Sequence, residues 1–325
     1  YTFEKFYETL SKLNSSFFTI DQLSCSIFYQ SLIESRFPIN NLEDPIYKLK
    51  SIKNKIEIEN MMSAHIKDGV ALTKFLYWIK QDKNFGFDEK FLEKKLESFR
   101  KKNKDYIYPS FDTIAGSGPN GAIIHYRSSK KTNRKIKKGD IFLCDSGGQY
   151  KYGTTDVTRT VCFKKPPKKI KDIFTRVLKG HIAVATNDLS KIKEGYLIDK
   201  KARLPLNEIG LDYSHGTGHG VGFFSNVHEG PQSISKFNSV ELKEGMIVSN
   251  EPGYYKKGAF GIRIENLLYI EKVKKKLKFK NLTMAPIDKD LINKKLLNKR
   301  ESNYLFNYNL EIYKNISKYL NKNEK

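Results

Sequence analysis

Residues 139–153 read GDIFLCDSGGQYKYG, and residues 245–258 read GMIVSNEPGYYKKG. In each stretch Gly is followed, after five residues, by a carboxylate (Asp145 or Glu251), then by one residue and a second Gly (Gly147 or Gly253). The interval separating the two copies is the same for the acids and for the glycines. Each copy passes through a Gly-containing loop into a further run with its own acid, Asp156 in TTDVTRTVCF and Glu265 in FGIRIENLLYI. Apolar runs bounded by Gly and other turn residues signal β-hairpins. A repeat at long period predicts two similar halves around a shared core. Asp145 follows IFLC and Glu265 follows GIRI, so these acids fall in runs expected to be half buried. An unpaired carboxylate there is costly unless a cation or a metal compensates it.

Nitrogen donors lie between the hairpins. HGTGHGVG (215–222) supplies His215 and His219, and NVHEGP (226–231) adds His228. Four carboxylates with one or two imidazoles make an oxygen-rich set that suits Mn2+, Co2+ or Zn2+ better than a thiolate site would. Two divalent ions joined by bridging carboxylates activate water in many aminopeptidases.

Together with FDTIAGSGPNGAIIHY (111–126), these motifs resemble those of the Xaa-Pro aminopeptidases (aminopeptidase P), of the long three-domain type, in the pita-bread metallopeptidase superfamily. The resemblance runs over residues 56–286. It implies an α/β (α+β) pita-bread fold, a curved mixed β-sheet with its helices on one side and an internal pseudo-twofold repeat. It also implies two divalent metal ions, manganese first and Co2+ or Zn2+ as alternatives, with Asp145, Asp156, His219, Glu251 and Glu265 as ligands. Asp145 would hold one ion, His219 and Glu251 the other, and Asp156 and Glu265 would bridge. By the same resemblance His228 and His125 hold the substrate carbonyl and handle the leaving-group proton, work to which imidazole is suited. His215 walls the proline ring, and Glu251 accepts a proton from the bridging water. The implied reaction removes the first residue of peptides with proline in second position. Methionine aminopeptidase and prolidase share this metal chemistry, so the ligand set leaves them open, as it does a non-catalytic peptide-binding or protein-binding descendant. GPNGAIIHY, the histidine motifs and the C-terminal extension favour the Xaa-Pro enzyme.

The chain has 325 residues, 39% hydrophobic and 29% charged, which is globular composition. A formal charge of +23 raises nucleic-acid or membrane binding. The charge is mostly lysine spread over every segment, which points to a solvated surface, with no nucleic acid or membrane partner expected. Cys25, Cys144 and Cys162 make no disulfide or metal framework. They fit a reducing compartment, so a cytoplasmic location is expected. Cys144 should face away from Asp145, its neighbour on one strand. No signal peptide is visible, and with Tyr1 as its first residue the chain reads as the C-terminal part of a longer protein, a homodimer by the same resemblance.

Residues 1–48 read as the remnant of a preceding domain, 49–286 as the catalytic domain and 287–325 as a C-terminal helical extension. The remnant opens on a helical stretch over residues 3–13. Helical spacing is expected over residues 55–80, after Asp88 as a cap, over residues 170–186, and over residues 197–209 with Pro205 bending or dividing the last. His65 and His181 fall on helical faces as packing residues. Tyr304, Tyr308, Ile312, Ile316 and Leu320 are available to pack the extension.

Overall fold

The computed structural model describes residues 5–81 and 86–325. Phe3 and Glu4, in the expected opening helix, lie outside them. The chain forms two compact units, Tyr1–Lys50 and Ser51–Lys325. The first contains α1 (Phe6–Lys12), β1 (Phe18–Ile20), α2 (Ile27–Glu34), β2 (Ile39–Asn41) and most of α3 (Pro45–Ser51), with β1 and β2 paired in parallel. Leu10 and Ile33 are its buried side chains among the described residues.

The second unit opens with α4 (Lys55–Ile79) and α5 (Glu89–Arg100). Asn54 caps α4 in a reciprocal box with Glu57, and the Asp88 carboxylate accepts from Phe91 N at 2.8 Å, as expected. Strands β3 (Tyr106–Pro109), β4 (Ile114–Ser117), β5 (Ile141–Ser146), β6 (Gly148–Tyr150), β7 (Gly153–Thr154) and β8 (Val157–Cys162) follow. Helices α6 (Lys168–Ala185) and α7 (Gly195–Asn207) begin the second half. Its strands are β9 (Gly218–Gly220), β10 (Glu229–Ile234), β11 (Ile247–Asn250), β12 (Gly253–Lys256), β13 (Phe260–Arg263), β14 (Asn266–Val273) and β15 (Lys276–Asn281). The order helix pair, hairpin, helix pair, hairpin is that read from the repeat. Pro205 does not divide α7, which runs unbroken to Asn207. Only two helical residues follow the proline, and its carbonyl is taken up by Arg176 Nη1 at 2.6 Å.

The sheet is in two main pieces, β4-β5-β8 and β10-β9-β11-β14-β15. Parallel pairing is found in the N-terminal unit, whereas the described strand pairs of Ser51–Lys325 are antiparallel. Short hairpin connections enforce this at β6-β7, β12-β13 and β14-β15, since parallel neighbours need a long crossover. Each helix pair covers one piece. Leu72, Phe75 and Leu96 of α4 and α5 pack on Phe142, Cys144 and Val161. Val184, Ile198 and Ala202 of α6 and α7 pack on Val248, Leu268 and Ile270. Strand alternation then sends Asp145 to the face opposite Cys144, whose thiol burial pushes up to about 12.

The halves are stitched by direct contacts. Glu265 N donates to Thr158 O at 3.2 Å, and Arg263 N to Thr160 Oγ1 at 3.1 Å. Arg159, 1% exposed, donates to the carbonyls of Glu265, Ala285 and Pro286 and meets the Tyr308 hydroxyl at 2.9 Å. That ties the C-terminal region to the back of the site. There, residues after Pro286 make two 3-10 turns before helix α8 (Lys299–Ile316). The side chains of Asp288, Asn293 and Asn298 each accept a nearby backbone N–H and so restart the chain. Tyr308, Ile312 and Ile316 pack with Met284, with Tyr304 and Leu320 beside them.

Candidate active site

Asp145 is next to last in β5 and pairs with Thr158, while Asp156 stands just before β8. Glu251 follows β11 and Glu265 precedes β14, whose ends are in register at Asn250 and Asn266. The repeated glycine has a steric reason: a Cβ at Gly147 would overlap the Thr155 carbonyl oxygen, and one at Gly253 would lie 2.9 Å from Ile262 O. Each hairpin can therefore close tightly enough to bring its two acids together.

A single cavity of about 320 Å³ is lined by Asp145, Asp156, His219, Glu251 and Glu265, and also by His125, His215 and His228. All eight residues singled out in the sequence thus share one wall-to-wall space. Ligand atoms of Asp156, His219 and Glu265 lie within 4.8 Å of one another. His219 Nε2 is 3.5 Å from Asp156 Oδ2 and 3.4 Å from Glu251 Oε1. Its Nδ1 lies 2.9 Å from Gly220 O, an acceptor only, so Nδ1 carries the proton and Nε2 aims its remaining position at the two acids. A carbonyl hydrogen bond on the far nitrogen is the usual device for orienting a metal-binding imidazole.

Two of the acids are oriented by hydroxyl donors. Thr158 Oγ1 donates to Glu265 Oε2 at 2.7 Å, and Ser249 Oγ to Glu251 Oε1 at 3.0 Å. Asp156 and Glu265 are 4% and 1% exposed. Burial, followed by the charges of the neighbouring carboxylates, raises both well above the ordinary range. Asp145 Oδ1 is buried without a hydrogen-bond partner among the described residues. Such a concentration of negative charge with an orphaned oxygen fits divalent cations.

The three further histidines differ. His215 is saturated, with Nδ1 2.7 Å from Gly216 O and Nε2 2.9 Å from Tyr255 Oη. It is therefore a fixed wall. His228 stands at the cavity mouth with its ring centroid 4.2 Å from that of His219. Solvent reaches one side of it, yet the surrounding protein and then His219 disfavour its imidazolium. His125 is also exposed and lines the same cavity. His65 and His181 are buried in α4 and α6, bonded to Met61 O at 2.7 Å and Asn250 O at 3.1 Å, the packing roles expected.

A family model described as metallopeptidase family M24 matches residues 59–272, and one described as the C-terminal region of peptidase M24 matches residues 275–325. The chain belongs to metallopeptidase family M24. This member of metallopeptidase family M24 is 47% identical over 289 residues to a probable Xaa-Pro aminopeptidase P of Laccaria bicolor, covering 85% of this chain and 45% of the relative. It is 45% identical over 283 residues to Xaa-Pro aminopeptidase 1 of Dictyostelium discoideum, covering 83% and 45%. The crystal structure of an X-prolyl aminopeptidase from Caenorhabditis elegans, described as a cytosolic enzyme with a di-nuclear active site, matches with a TM-score of 0.82 at 36% identity. That match covers 89% of this chain and 49% of that one. The chain spans about half the length of the curated relatives it matches. Its fold is the pita-bread fold of metallopeptidase family M24. No helix among the described residues is long and apolar enough to cross a membrane.

Sequence reasoning missed Arg263. Its Nη2 meets Asp145 Oδ2 at 2.6 Å, its Nη1 the Tyr255 hydroxyl at 2.6 Å and its Nε the Thr158 hydroxyl at 3.1 Å. Tyr255, pushed up to about 12 by burial, keeps its proton and donates its hydroxyl to His215 Nε2. The signal was available: Arg263 is a lone cation two residues before Glu265 in the second acid-bearing run. In this member of metallopeptidase family M24, Arg263→Met is expected to weaken divalent-metal affinity by about 10- to 100-fold. Metal titration calorimetry checks this, and unchanged affinity would show that Asp145 needs no such orientation.

Proposed function

We propose that this chain carries a metal-dependent aminopeptidase site that removes the first residue of peptides with proline in second position. The observation carrying this reading is the convergence of Asp145, Asp156, His219, Glu251 and Glu265 with His125, His215 and His228 around one cavity. The relatives' names support the substrate class. In this reading the five residues hold two divalent ions, manganese first. When bound, such ions supply Lewis acidity and bring the acidity of water to near neutrality. Asp145 would serve one ion, His219 and Glu251 the other, and Asp156 and Glu265 both. Glu251 accepts the proton released from the attacking water, its Oε1 being fixed by Ser249. His228 and His125, both lining the cavity, hold the scissile carbonyl and return a proton to the departing nitrogen.

An Xaa-Pro bond has no N–H, so its site needs an apolar slot in place of an acceptor. Phe111, Ile114, Ile124 and Val227 line the same cavity, with His215 as a rigid side wall. Arg127 and Asp112 pair at its rim. After manganese loading, the chain is expected to release Arg from Arg-Pro-Pro and to leave Met-Ala-Ser and the dipeptide Gly-Pro intact. Cleavage of Met-Ala-Ser alone would replace this reading with a methionine aminopeptidase, and of Gly-Pro alone with a prolidase. Failure to bind two divalent ions would favour a non-catalytic module. Sedimentation would test the homodimer that the reading includes.

A further inference from the structure

Lys53 lies just before α4, far in sequence from every residue of the site, and its side chain is 1% exposed. Its ammonium is hydrogen-bonded to Oε1 of Glu229, whose side chain is also 1% exposed. Glu229 directly follows His228 and opens β10 opposite Gly220, the residue after His219. The pairing of β10 with β9 then shifts register before resuming at Ser233. His228 itself makes no side-chain hydrogen bond among the described residues, and its ring rests on His219 at 4.2 Å. The place of that imidazole is thus set mainly by its backbone, and the nearest firm anchor is the carboxylate next to it.

Lys53 is fixed at its other end. Its N–H donates to Gly245 O at 2.9 Å, and Ile52 bridges to Met246. Gly245 adopts φ +83°, and a Cβ there would lie 2.7 Å from Lys53 O, so the approach needs glycine. These residues lead into β11, which delivers Glu251. One cation therefore ties the segment bearing His228 to the segment bearing Glu251. A purely structural function would not require charge, because an apolar pair of similar volume is often neutral or stabilising in place of a buried ion pair. What the ion pair adds is direction.

We propose that Lys53 is a positioning residue that sets His228 over the site through the Glu229 carboxylate. The kinetic part rests on the aminopeptidase reading, whereas the placement of the ring does not. Two variants, Lys53→Met and Lys53→Met/Glu229→Leu, separate position from stability. With manganese and Arg-Pro-Pro, Lys53→Met is expected to lose about 10²-fold in kcat, the order of effect of misplacing a reacting group by about 1 Å, with two ions still bound. The double variant should regain the parent thermal midpoint but not its kcat. In a His228→Ala background, Lys53→Met should cost only about 3-fold or less, because coupled residues are not additive. In the metal-free protein at fixed pH, the ring resonance of His228, assigned by its loss in His228→Ala, should move or double in both variants while that of buried His181 stays. A double variant with parental kcat, or an unmoved His228 resonance, overturns the proposal. If the parent cleaves no Xaa-Pro peptide, the aminopeptidase reading fails by itself and the resonance decides the placement. If Lys53→Met does not fold, the double variant decides both.

Discussion

Replacing His228 with Ala is expected to lower kcat on Arg-Pro-Pro by about 10²- to 10⁴-fold, the range for loss of a group that handles a proton in the transition state. Divalent-ion content should be retained, because the five carboxylate and imidazole groups proposed as ligands come from other residues. The ring stands at the mouth of the cavity beside His219, and its surroundings disfavour the imidazolium. A neutral ring has a free lone pair that can take up a proton and then pass that proton to the leaving nitrogen, which returns the ring to its neutral form. Steady-state kinetics with metal analysis check the outcome. If only KM rose, His228 would contribute uniform binding rather than chemistry, and unchanged turnover would remove it from the mechanism.

Removing the metal ions should abolish peptidase activity and leave a protein whose stability falls as pH rises. Asp156 and Glu265 both have folded-state values raised well above 3.8 and 4.5, by burial first and neighbouring acids second. Below those ordinary values both groups are protonated, folded or unfolded, and there is no penalty. As pH climbs through the raised values, the folded state must give up protons it binds more tightly than the unfolded chain, so stability is lost and the loss is complete above them. Divalent cations replace those protons. The loaded protein should therefore lack this decline near neutrality and release protons on loading. Each ion should add about 2.7 kcal/mol when free metal is a hundredfold above its dissociation constant. Thermal melts of chelated and loaded protein across pH, with calorimetry in buffers of different ionisation heat, measure both effects. A flat profile for the chelated protein would show that these acids are not concentrated as described.

Much of this was readable from local pattern. The apolar spacing of residues 55–80 matches α4, and Asp88 caps α5 as its position suggested. The hairpin repeat marked Asp145, Asp156, Glu251 and Glu265, and strand alternation separated Cys144 from Asp145. Other features were not readable. Pro205 does not divide α7, and its carbonyl is held by Arg176, a partner on a neighbouring helix. The turns after Pro286 look like helix by composition, but three side-chain caps interrupt them. Lys53 reads as one more lysine in a lysine-rich chain until Glu229 is seen beside it.

By itself the sequence determined which cation-binding side chains accompany each hairpin, because alternation along a strand and repetition of a hairpin are local and periodic. Only the tertiary structure decided that these groups share a cavity, that His219 aims Nε2 at Asp156 and Glu251, and that Arg263 reaches Asp145 across 118 positions. Such meetings depend on how one half of the chain packs against the other, and no short-range pattern carries that distance.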